Sequence, residues 1–175
     1  MKQFDKRRAV TILLILLTLG CQIFIFSNSL KGGEESAKQS GAVVEIVRPS
    51  VEQLLPVVKV EPTEDNIVRF VRKAAHFLEF ALLGCLACFT ARRFTPKKRW
   101  FLTVPMGYAV LTAFADEGIQ LFSDGRAGRL TDVLIDSAGA VSGMLFAFGC
   151  IALAIYVRSR KEKTLYAKHK EEEMK

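Results

Sequence analysis

Four long apolar runs divide this chain, and charge bounds each of them. The first extends from Ala9 to Phe26, with Gln22 as its one strongly polar interruption. The second, Ala74 to Ala91, is the apolar part of a helix expected over about Glu64 to Ala91. The third extends from Trp100, an interface-type residue, to Phe122. The fourth opens at Thr131 or Asp132, either of which can cap a helix, and continues to Val157. Runs of this length bounded by charged blocks predict helices that cross a bilayer. The pattern therefore predicts an all-α fold, a polytopic membrane bundle of four transmembrane helices. It forms a single domain with a core at about 9–157 and a charged cytoplasmic tail at 158–175.

The segment Leu30 to Lys73 differs from the runs around it. Its acidic and basic residues balance, and Val43, Val44, Val47, Val51, Leu54 and Leu55 recur at helical spacing. Pro49 interrupts that spacing and Pro56 stops it. One or two short amphipathic helices at the membrane interface of the first outer loop account for this pattern. An ordered loop packed on the spans accounts for it equally. Pro62 and Thr63 then open the second long helix, with Thr63 or Asp65 as cap.

Composition narrows the class. Half of the 175 residues are hydrophobic and a quarter are charged. The formal net charge of +7 would suit nucleic acid, but the basic residues flank apolar runs and no nucleic-acid motif is present. No nucleic-acid partner is expected. Cys21, Cys85, Cys88 and Cys150 all lie within apolar runs, which argues against a disulfide framework. Cys85 and Cys88 form a C-x-x-C, read here as two small apolar residues one turn apart. The basic start and TLGC at Thr18–Cys21 suggest a signal, yet apolar sequence continues through Phe26. An uncleaved span is expected there.

Lys and Arg fix the expected orientation. The N-terminal tail, the Arg92–Arg99 stretch and the C-terminal tail are strongly basic, whereas Ser123–Leu130 carries only Arg126 and Arg129. Both termini are then cytoplasmic, in a multi-pass membrane protein. The 30–73 segment and the loop between spans three and four face outward.

Candidate chemistry gathers at that outer boundary. Arg72, His76, Glu79 and Leu83 share one stripe of the second helix. Glu79 sits about 10 Å below Arg72 at the α-helical rise. Asp116 and Gln120 share a face of the third run, with Glu117 within reach of Gln120. Asp132, Asp136, Gly139 and Gly143 form a stripe of the fourth, and the G-x-x-x-G spacing admits a close neighbour. Carboxylates inside spans are costly unless paired or used. His76, Glu79, Asp116, Glu117, Gln120, Asp132 and Asp136 are therefore catalytic candidates, and Arg72, Arg126 and Arg129 are candidate ligands of phosphate. The bland alternatives stay open. Arg126 and Arg129 suit a solvated loop, Arg72 and Lys73 suit snorkelling anchors, and the whole set suits a structural ion-pair network. No metal site is assigned and no cofactor is named, although carboxylates from three helices are compatible with a divalent cation.

Two blocks carry a resemblance. RKAAHFLEFALLG, Arg72 to Gly84, and ADEGIQLFSDGRAGRLTDVLIDSAGAVSG, Ala115 to Gly143, resemble the signature blocks of VanZ-like membrane proteins. The first matches at Lys73, His76 and Glu79. The second matches at the acid three residues before Gln120, at a loop arginine, and at the D-x-x-x-D-x-x-G-x-x-x-G from Asp132 to Gly143. Phe80 stands where the family pattern has tyrosine, and Asp136 where many relatives have asparagine. The resemblance spans about Val10 to Val157. One family member is linked to low-level resistance to the glycopeptide teicoplanin, so the resemblance implies a bacterial cell-envelope role. Antibiotic resistance is a family-level link and is not carried to this chain.

Three functions compete on these grounds. The first is binding or processing of an envelope lipid or cell-wall precursor, lipid-linked or phosphate-bearing, with membrane lipids as partners. The second is a non-catalytic scaffold or binding protein whose polar cluster is structural. The third, an ion-coupled transporter, is disfavoured by four short spans without an internal repeat.

Overall fold

The computed structural model describes residues 2–57, 59–95, 98–123 and 129–173. Among them the chain forms five helices and no strand. They are α1 (Lys2–Ser29), α2 (Gly33–Val57), α3 (Glu64–Phe94), α4 (Lys98–Gln120) and α5 (Leu130–Glu173). The all-α expectation holds. By length and apolar composition, three helices are able to cross a membrane: Lys6–Ser29, Glu64–Phe94 and Leu130–Thr164. The fourth expected span, α4, is 23 residues long and has Asp116 and Glu117 near its end and Pro105 within it.

α3 is the hub, packing against each of the other four helices and most extensively against α5. One apolar core joins Cys21 and Ile25 of α1, Phe80 and Leu83 of α3, Ala109 and Ala113 of α4, and Val133 and Ala140 of α5. A second joins Cys88 of α3 to Phe101 of α4 and to Met144 and Ala147 of α5. Large apolar residues on the outer faces stay uncovered, among them Leu16, Ile23, Leu78, Leu111, Leu145 and Leu153. A bundle dressed in this way requires an apolar surrounding. All four cysteines are free, and Cys88 is buried in the second core.

The α3–α5 contact depends on three glycines. A Cβ added at Gly139 would strike the Phe77 backbone, one at Gly143 the Ala81 backbone, and one at Gly84 the Ala140 backbone. The small-residue stripe read from the sequence thus faces α3, and α3 returns a glycine of its own. Polar bonds support the other seams. Thr18 and Thr90 hydroxyls meet at 3.0 Å between α1 and α3, and the Tyr108 hydroxyl of α4 donates to Gln22 of α1.

Two sequence-based boundaries need correction. The segment before α3 is one continuous helix of 25 residues, with Pro49 inside it, rather than one or two short helices. Proline removes one backbone bond, but Val44, Val51 and Leu55 on one face bury against Ile67 and Val71 of α3 and hold the helix together. Arg48 adds a two-pronged bond to Glu64, at 2.7 and 2.8 Å. These bonds hold the Arg48 guanidinium above its ordinary value. α2 ends just past Pro56, as expected. Lys59 follows in the left-handed region (φ 59°), with Lys59 N–H donating to Pro56 O and Val60 N–H to Leu55 O.

α5 is the second correction. It begins at Leu130, so Asp132 lies in its first turn, where its charge complements the helix dipole. It then continues for 44 residues, well past Val157. In α3, Thr63 occupies the cap position, where its carbonyl accepts from Ile67 N–H at 2.9 Å, but its side chain makes no cap bond.

These contacts predict opposite outcomes for two glycines of one helix. Gly143→Ala should destabilise the protein by about 1–3 kcal/mol, because the methyl group meets backbone. Gly149→Ala, where nothing lies within 4 Å, should be neutral or stabilise by up to about 1 kcal/mol. Thermal unfolding of the detergent-solubilised variants measures both.

Candidate functional site

The mouth of the bundle is assembled from α3, α4 and α5, with α1 at its side. The Gly139–Phe77 contact sets α5 so close to α3 that His76 and Asp136, neighbours of that contact, face one another. α4 supplies Asp116. Single donor atoms of His76, Asp116 and Asp136 all lie within 4.8 Å of one another. Asp116 is completely buried and Asp136 is 2 % exposed.

Each side chain has an identifiable holder. Gln120 Nε2 donates to Asp116 Oδ2 at 2.9 Å across one helical turn. The other oxygen, Asp116 Oδ1, has no hydrogen-bond donor among the described residues. His76 Nδ1 lies 3.9 Å from Asp116 Oδ2 and 3.9 Å from Glu79 Oε2, so the imidazole bridges two carboxylates. Glu79 Oε1 accepts from Asn28 Nδ2 at 2.9 Å, and Lys31 Nζ donates to Asn28 Oδ1 at 3.1 Å. Glu117 is 6 % exposed, and its Oε2 accepts the Arg129 backbone N–H at 2.6 Å. Asp132 pairs with Lys73.

Of the residues singled out in the sequence, His76, Glu79, Asp116, Glu117, Gln120, Asp132 and Asp136 therefore meet in one polar region. Arg72 lines it as well. Arg72, Lys73, His76, Glu117, Gln120, Asp132 and Asp136 surround a cavity of about 20 Å³. Beside it, Arg72, His76 and Glu79 also line a larger cleft of about 470 Å³, shared with Asn28, Lys31 and the start of α2. Arg129 contributes its backbone to Glu117, while the residue itself is exposed. Arg126 lies outside the described residues. Lys73, open to a snorkelling reading, is an ion-pair partner of Asp132 instead.

Sequence reasoning missed Asn28 and Lys31. The signal available was the polar stretch SNSLK closing the first apolar run, at the same end of the bundle as the other charges. A further tie closes the mouth. The Ser123 hydroxyl donates to the Ser29 carbonyl at 2.8 Å, joining the end of α1 to the segment after α4.

An all-α bundle with helices fit to cross a membrane, closed at one end by buried carboxylates, defines an integral membrane protein with a polar mouth. The VanZ/LLP1 family model matches residues 11–154, and the chain belongs to that family. No curated protein and no solved structure matches it significantly.

The Lys73–Asp132 bridge between α3 and α5 gives a direct test of how the mouth is held. Lys73→Met and Asp132→Asn should each lower the unfolding temperature. The double variant should lose less than the two single losses combined, by about 0.5–3 kcal/mol. A double-mutant cycle in detergent measures that coupling.

Proposed function

We propose that this VanZ-family membrane protein binds, and chemically processes, a phosphate-bearing lipid or lipid-linked precursor of the bacterial envelope. The observation that carries the reading is the meeting of half-buried His76 with buried Asp116 and Asp136 beside Arg72 at the edge of an open cleft. A cleft of about 470 Å³ suits a lipid headgroup. Arg72 and Lys31 supply cationic donors for phosphate. His76 and Glu79, paired through Nδ1, suit proton transfer.

The same reading includes four spans in the bacterial cytoplasmic membrane. α4 is apolar from Trp100 to Ala115 and is flanked by α3 and α5, both long enough to cross. With basic residues concentrated at one end of the bundle, both termini lie in the cytoplasm and the polar mouth opens to the outer leaflet. Cysteines placed singly at Glu61 and Lys163, in a background lacking the native four, test this. Impermeant thiol reagents applied to intact cells should label Glu61→Cys and spare Lys163→Cys. The reverse pattern would invert the topology.

A non-catalytic scaffold is the second reading. It is favoured by the Lys73–Asp132 and Gln120–Asp116 bonds, which pin helix ends whatever the ligand. Glu79→Gln separates the two. If the mouth does chemistry, the variant should accumulate normally while its strain shows the same altered phospholipid and precursor profile, by extraction and mass spectrometry, as a strain lacking the gene. Loss of accumulation points to the scaffold. An unchanged lipid profile in the deletion strain removes the processing reading.

A further inference from the structure

The smallest space in the mouth invites a different question from the cleft beside it. It measures about 20 Å³, room for about one water-sized particle. Its walls are mostly charged: Arg72, Lys73, His76, Glu117, Asp132 and Asp136. Lys73 and Asp132 neutralise one another at its rim. Of the remaining walls, Arg72 and His76 stand with the carboxylates of Glu117 and Asp136; Asp116 adjoins His76 and Asp136, and Glu79 adjoins His76, so four carboxylates gather about one arginine. Buried carboxylates so close together repel one another unless a cation or shared protons lie between them.

The donors are arranged for a cation. His76, Asp116 and Asp136 come from three different helices and present atoms within 4.8 Å of one another. At bond lengths of about 2.0–2.2 Å, three ligands sharing one ion in a tetrahedral or trigonal arrangement lie about 3.3–3.8 Å from one another. The widest pair therefore has to close by about 1 Å, a side-chain adjustment, for all three donors to reach one ion. Asp116 supplies the second, independent sign. It is 0 % exposed, its Oδ2 is held by Gln120, and its Oδ1 has no donor among the described residues. A buried carboxylate oxygen held in position but given no donor is a ligand atom in want of a partner. Glu117 Oε1 is likewise buried and without a donor.

We infer that His76, Asp116 and Asp136 bind a single divalent cation in the bundle mouth, with Gln120 as the positioning residue of Asp116. One nitrogen and two or more carboxylate oxygens favour Mn²⁺ or Zn²⁺ over Mg²⁺, which prefers an all-oxygen octahedron and keeps its waters. The inference deepens the lipid reading above, because a cation here would face phosphate in the adjoining cleft. It does not need that reading, since the ion is held by the protein's own side chains. A failure to find a lipid substrate leaves it standing, and a failure to bind metal leaves the lipid reading without its ion but otherwise intact.

The experiment uses the full chain, purified in detergent and stripped with chelator. Mn²⁺ is titrated and free ion is followed by electron paramagnetic resonance. About one ion per chain should be sequestered, with Zn²⁺ competing and Mg²⁺ competing poorly. Asp116→Asn and Asp136→Asn should abolish sequestration, and Gln120→Leu should weaken it about 10–100-fold. Loading the unsubstituted protein with Co²⁺ adds a readout that does not depend on any variant folding. Visible absorption bands typical of mixed nitrogen and oxygen ligation are expected. No sequestration by the unsubstituted protein, or binding unchanged in Asp116→Asn and Asp136→Asn, would overturn the inference in favour of shared protons. Featureless Co²⁺ spectra would overturn it as well.

Discussion

The structure depends on how closely α3 and α5 approach. Membrane helices gain little from apolar burial against one another, since lipid is as apolar as leucine; packing and interhelical hydrogen bonds must hold them. Gly84, Gly139 and Gly143 let the two backbones touch where any side chain would intervene. The approach has a chemical effect as well as a mechanical one. Gly139 lies three residues beyond Asp136, and its contact, Phe77, follows His76 directly. The backbone contact therefore sets the separation of an acid and an imidazole one turn away. Packing and site are consequences of the same residues.

The polar groups above that contact follow from the cost of charge in an apolar surrounding. Glu79 is answered by Asn28 and His76, Asp132 by Lys73, Glu117 by the Arg129 backbone, and Asp116 by Gln120. Each answer comes from a different place: α1, α3, the segment after α4, and α4 itself. Three of these four acids take a partner from outside their own helix, so the mouth is where the bundle's parts meet. Asp116 and Glu117, both of α4, each keep a buried carboxylate oxygen without a donor among the described residues.

Much of this was legible in the residues because helical periodicity is local. The stripes Arg72–His76–Glu79 and Asp132–Asp136–Gly139–Gly143 follow from 3.6 residues per turn, and charge at depth required that they converge. What was not legible depended on tertiary packing. Pro49 reads as a break, and only the burial of Val44, Val51 and Leu55 on α3 explains why the helix runs through it. Asn28 is unremarkable at the end of an apolar run until α1 is placed beside Glu79. The two acids that mark α4 as part of the site are also what lower its apolarity, so one feature strengthens the site and weakens the span. In α5, Val157 closes the apolar run but not the helix, which continues on charged residues with good helical propensity and bonds such as Arg158–Glu162 at 3.0 Å.

That unbroken α5 contains no proline, and stiff helices kink mainly at proline or at inserted groups. It is gripped at Gly139 and Gly143, and about 45 Å of rod extends from Gly143 to its far end at the α-helical rise. Past that grip it still packs on α3 and α4 at Met144 and Ala147, and the remainder is a long arm beyond them. A tilt of 5° about the glycine fulcrum, roughly the adjustment of a side-chain contact at Asp136, would move the distal end by about 4 Å, given the helix rise. A rigid tilt set at the acidic mouth would in this way be enlarged at the opposite extremity of the same helix.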